Sequence, residues 1–198
     1  MATKKLKNIF LSASIPLPDR DIKYINTADI IAIRDAVIAL TTVVLPHHRI
    51  IWGGHPSITP LIYYVMKKLK INIQEHVTLY QSEYFKDKFP EDNNKFENVK
   101  LTENLGDIPS SIQHMRYRIF SENKFDAAIF IGGMDGIEVE YNMFRDFHPE
   151  ALILPIASTG AATKIVYDNF LPDEFKNELL VKDYGYMSLF QKLLIDKI

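Results

Sequence analysis

The chain of 198 residues contains no cysteine. That absence excludes a disulfide framework, thiolate metal sites and a cysteine nucleophile together, and it fits a reducing compartment. An excess of charge of either sign is also missing: 23 Lys+Arg stand against 25 Asp+Glu, with a pI near 6.3. No overall positive field is available to hold a phosphodiester polymer, so nucleic acid is not the expected partner. Long apolar runs are lacking too. The lysines at the N-terminus precede only Ile9, Phe10 and Leu11, too short a run for a signal peptide. Nothing later approaches the roughly 18 consecutive apolar residues of a membrane span, so a soluble, cytoplasmic protein without a membrane partner is expected.

What the chain does have is a globular balance, 47% hydrophobic and 24% charged, enough to bury a sizeable core. Its length suits one compact domain over residues 1–198. Short apolar runs alternate with longer periodic ones. Strands are predicted at 8–12, 49–52, 77–80, 99–102, 127–131 and 152–157. Helices are predicted at 28–45, up to residue 69, at 110–122, at 136–147 and through the last forty-odd residues, with a polar stretch at 86–98. Strands and helices in strict turn imply parallel βαβ units with right-handed crossovers, hence a Rossmann-like α/β sheet covered by helices on both faces.

In such sheets ligands lie beyond the carboxyl ends of the strands. Only eight glycines occur, and six of them fall in three loops of this kind: Gly53 and Gly54, then Gly132, Gly133 and Gly136, then Gly160. The first loop continues through His55, Pro56 and Ser57 to Thr59 and Pro60, where Thr59 reads as an N-cap and Pro60 as the first helical residue. Its amides and hydroxyls suit a phosphate, although no Gly-Lys-Ser/Thr follows as in a Walker loop. The second loop adds Met134 and Asp135 and opens a helix. The third adds Ser158 and Thr159, which can cap a helix or bind a phosphate. Ser12 and Ser14 close the first strand, followed by Arg20.

Helical phase selects two charges. Glu140 borders the apolar stripe of Ile137, Tyr141 and Phe144, whereas Glu138 falls on the solvated side, where it compensates the helix dipole. Arg116 falls within the stripe of Ile112, Met115, Ile119 and Phe120, so it must meet an anion, either a ligand phosphate or Glu140. Arg118 reads as a surface ion pair with Glu122, and Arg34 as a weaker candidate that pairs locally. Metal chemistry is unsupported, because no His-Glu-x-x-His occurs and the adjacent His47 and His48 cannot readily face one ion. No organic cofactor is implied. No Gly-x-Ser-x-Gly elbow occurs either.

At these residues the sequence resembles the SLOG superfamily, the Rossmannoid group uniting the DNA-processing Smf/DprA domain with the Lonely guy phosphoribohydrolases. The run Gly132-Gly133-Met134-Asp135-Gly136-Ile137-Glu138-Val139-Glu140 resembles the family's Gly-Gly-x-Gly-Thr-x-x-Glu, with one residue inserted and Ile137 in place of threonine. Gly53-Gly54 resembles the earlier loop, Ser12-Ala13-Ser14 the first-strand loop and Met115-Arg116 the arginine site, with Tyr117 in place of the usual lysine. The Gly-Gly-His-Pro and Ala-Ser-Thr-Gly variants are similar to SLOG proteins found beside TIR-type NAD-consuming proteins in bacterial defence. The resemblance implies a homo-oligomeric sensor of an NAD-derived, ADP-ribose-type or related nucleotide, passing its signal to a TIR-type or other effector partner. It also implies an alternative, N-glycosidic hydrolysis of a nucleotide with Glu140 and Arg116 catalytic. An interaction subunit without a small ligand is the third reading.

Overall fold

The computed structural model describes residues 6–19, 21–69 and 74–198. In chain order the elements are β1 (Asn8–Ser14), α1 (Ile22–Ile25), α2 (Ile30–Val44), β2 (Arg49–Trp52), α3 (Thr59–Leu69), β3 (Val77–Ser82), β4 (Val99–Thr102), α4 (Ile108–Glu122), β5 (Ala127–Gly132), α5 (Asp135–Phe147), β6 (Leu152–Pro155), α6 (Ala161–Asn169), α7 (Leu179–Lys182) and α8 (Tyr186–Phe190). The six strands form one all-parallel sheet in the order β4-β3-β2-β1-β5-β6. The chain moves outward from β1 through β2, β3 and β4, then returns to the other side of β1 with β5. The topological switch point therefore lies between β1 and β5. This is the predicted α/β Rossmann-like fold. Among the described residues no helix is long and apolar enough to cross a membrane.

Both faces of the sheet are covered, which is why β3 and β5 are buried at every position and why β5 reads as a continuous apolar run instead of an alternating one. On β1 the two-residue period separates the faces. Phe10 points to the α4/α5 side, its ring 4.9 Å from Phe120 and 5.9 Å from Phe144. Ser12 and Ser14 share that face. Across the sheet, α2 packs against α3 and α8, and Trp52 lies beneath α3, with its ring 5.1 Å from Phe96.

Helix boundaries follow local chemistry. Asp29 caps α2 by accepting the Ala32 N–H, and Asp107 caps α4 by accepting the Ser110 N–H with Pro109 in the first turn. The predicted polar stretch after β3 folds as two 3₁₀ turns, Glu83–Lys88 and Glu91–Lys95. The first begins at Ser82, whose hydroxyl accepts the Tyr84 N–H at 3.3 Å.

Candidate functional site

The carboxyl ends of β1, β2 and β3, the first residues of α5 and the underside of α4 enclose a cavity of about 450 Å³. That volume lies within the range of small-molecule sites, roughly 300–1,000 Å³. Its centre is a three-residue cluster. Arg116 Nε donates to Glu140 Oε1 at 3.0 Å, and the Ser12 hydroxyl donates to the other carboxylate oxygen. The Arg116 and Glu140 side chains are 15% and 19% exposed, so both are largely desolvated yet reach the cavity. The anion that helical phase demanded for Arg116 is thus Glu140. Gly136 allows this contact, because a Cβ there would stand 2.8 Å from Arg116 Nη2.

Glu138 lies on the opposite side of α5, as phase predicted, but it is not simply solvated. The Tyr24 hydroxyl of α1 donates to it at 2.7 Å and Lys23 lies 3.9 Å away. Arg118 pairs with Glu122 one turn on.

The β2–α3 loop contributes Gly53, Gly54 and His55 to the cavity wall. Gly54 has φ +73°, a region that favours glycine. His55 Nδ1 accepts the Ser57 N–H at 3.2 Å and lies 2.8 Å from the Ser57 hydroxyl. In the neutral ring an accepting Nδ1 assigns the proton to Nε2, which is left as a donor. Burial lowers the His55 pKa below its ordinary 6.5 and likewise lowers that of His148, whose Nε2 meets the Phe120 carbonyl. Between the folded values and 6.5 the unfolded chain binds more protons than the native one, so these two histidines make stability rise with pH across that interval. Urea midpoints are accordingly expected to fall between pH 7 and pH 5.5, and His55→Asn should flatten that slope.

Asp135 is exposed at the first position of α5 and has no cationic partner among the described residues. Met134 and Gly136 line the cavity beside it. A carboxylate at this helix end already answers the helix dipole and repels a second anion. The start of α5 therefore suits ligand hydroxyls better than phosphate.

Ser14 lines the cavity beside Ser12. The other predicted site residues that the structure describes do not line it, and each has a structural partner. Ser57 turns toward the His55 ring, and its oxygen also accepts the Ile15 N–H at 3.4 Å. Thr59 accepts the Trp52 indole N–H at 3.2 Å, where an N-cap bond was expected. Gly132 donates to the Thr159 hydroxyl and accepts from that of Thr163, both at 2.9 Å, while Gly133 donates to the Ser14 carbonyl at 2.8 Å. The amides expected to hold phosphate at Gly132 and Gly133 are thus occupied by the protein. The third loop turns to partners within the protein. Ser158 lies 3.1 Å from the Tyr186 hydroxyl, whose pKa burial pushes up to about 12. Thr159 is fully buried, and Gly160 backs onto the Thr27 carbonyl. Arg34 is exposed and pairs with Asp35 at 2.8 Å. Arg20 lies outside the described residues.

Sequence reasoning passed over the far wall of the cavity. Gln81 and Ser82 end β3, and Phe85, Lys88, Phe89 and Pro90 follow in and after the first 3₁₀ turn. Lys88 is exposed at this wall with no carboxylate partner among the described residues. Two phenylalanines four residues apart in a stretch otherwise dominated by charge were the available signal, since apolar rings in a polar segment need something to cover them.

A six-stranded parallel sheet with a mixed aromatic and polar cavity at its carboxyl edge, beside the switch point, defines a Rossmann-like protein with a cavity of small-molecule size. The model of the SLOG cluster3 family matches residues 23–194, and the chain belongs to that family. Membership points to a nucleotide-related Rossmannoid function. A similar solved structure is the X-ray structure of TM1055, Northeast Structural Genomics Consortium target VT76, with a TM-score of 0.63 at 12% identity over 98% of this chain and 100% of that one. At that identity the likeness shows the fold alone. No curated protein matches the sequence.

Proposed function

We propose that the chain is a nucleotide sensor whose cavity binds an NAD-derived, ADP-ribose-type or related nucleotide in bacterial defence signalling. In this reading it acts as a homo-oligomer and passes the bound state to a TIR-type or other effector partner. The observation that carries the binding claim is the pairing, within one cavity, of an aromatic wall at Phe85 and Phe89 with the Ser12–Glu140–Arg116 cluster. Rings of this kind cover a planar base, while a carboxylate held by an arginine and a serine accepts from ribose hydroxyls. His55 Nε2–H and Lys88 supply donors and charge for phosphate, and the carboxylate of Asp135 turns phosphate away from the start of α5.

The second reading, N-glycosidic hydrolysis, is favoured by the same Glu140, an oriented carboxylate beside a guanidinium. Such a group would stabilise an oxocarbenium-like ribose as the bond to the base breaks. Calorimetric and thermal-shift titrations with AMP, NAD, ADP-ribose and cyclic ADP-ribose are expected to reveal a stabiliser, worth about 2.7 kcal/mol at a hundredfold excess over Kd. No response to any of the four would overturn the binding claim. Chromatography of the same mixtures separates the two readings. Intact nucleotide recovered after long incubation supports the sensor, whereas release of free base, abolished by Glu140→Gln with binding retained, establishes the hydrolase.

A further inference from the structure

Gln81 is only 5% exposed, yet it belongs to the cavity wall. Its Nε2 donates to the Gly54 carbonyl at 3.0 Å. A backbone carbonyl can only accept, so this bond fixes which way the amide points: a flipped amide would set two oxygens against each other. Among the described residues no hydrogen bond is made to Oε1, and that atom is an acceptor.

The neighbouring residues hold this orientation. Gly54, at φ +73°, lies so close that a Cβ there would fall 1.6 Å from Gln81 Nε2 and 2.7 Å from Leu79 Cδ1. Any side chain at position 54 would displace the amide. Gln81 also directly precedes Ser82 and the 3₁₀ turn that carries Phe85, so the fixed acceptor and the aromatic wall come from one continuous segment. A planar group held against that wall lies in the same cavity as Gln81.

We propose that Gln81 reads the exocyclic amine of a base, making the cavity selective for 6-aminopurine nucleotides over their 6-oxopurine counterparts. This rests on the reading of the cavity as a nucleotide site. A 6-amino group donates to Oε1, whereas a 6-oxo group places oxygen against oxygen and leaves a desolvated acceptor unpaired, the situation in which a polar site discriminates most strongly.

The test is a calorimetric comparison of AMP with IMP, and of NAD with nicotinamide hypoxanthine dinucleotide, on the full chain. The amino forms are expected to bind at least about tenfold more tightly. Gln81→Met should remove that preference by weakening the amino forms while leaving the oxo forms within about threefold. Equal affinity of the wild-type protein for the two members of each pair overturns the role of Gln81 and leaves the nucleotide reading standing. Binding of neither member overturns both. The wild-type comparison decides the matter alone if the variant fails to fold.

Discussion

Replacing Gly160 with alanine is expected to lower stability by about 3 kcal/mol or more, read as a drop in the urea midpoint, while affinity for AMP at the cavity changes less than about threefold. Gly160 adopts φ +71° and ψ −152°, a combination that is essentially restricted to glycine. A Cβ built there would lie 1.7 Å from the Thr27 carbonyl oxygen. That atom is backbone and cannot swing aside like a side-chain end. The turn is held on both sides: the Ala161 N–H donates to the Thr27 hydroxyl at 2.9 Å, and the Asp29 N–H donates to the Thr159 carbonyl at 3.2 Å. The strain would therefore spread into the approach to α2 and the start of α6. A large loss of affinity with unchanged stability would mean that this loop touches the ligand after all.

The same loop marks where sequence reading stops. The strands were visible because residues buried on both faces of a parallel sheet form short apolar runs, and the predicted 127–131 differs from β5 by one residue. Arg116 and Glu140 were visible because helical phase is a local property: Arg116 falls within an apolar stripe and Glu140 on the border of one. The role of Ser158, Thr159 and Gly160 depends on partners far along the chain: Tyr186, Gly132 and Thr27. A small-residue loop at a strand end looks the same whether a ligand or the protein fills it. Gln81 was hidden for a related reason, since its significance comes from the Gly54 carbonyl, 27 positions away.

Replacing Arg116 with methionine is expected to weaken binding of AMP or ADP-ribose about 100-fold, by removing the guanidinium at the centre of the cavity. The apolar stem of Arg116 packs within the α4 stripe, and methionine preserves most of that volume. The lost function is then the charge. Glu140 would keep only the Ser12 hydroxyl, leaving a largely desolvated carboxylate uncompensated, and stability should fall by about 2 kcal/mol. Adding Glu140→Gln to the same chain removes the stranded charge, so the double variant should regain most of that stability without regaining affinity. Weaker binding by the double variant than by Glu140→Gln alone separates a ligand-directed guanidinium from one that merely neutralises Glu140. If the double variant binds the nucleotide as tightly as Glu140→Gln alone, Arg116 serves only the fold and the placement of Glu140, and the recognition of the ligand has to come from Glu140, the β2–α3 loop and the wall after β3.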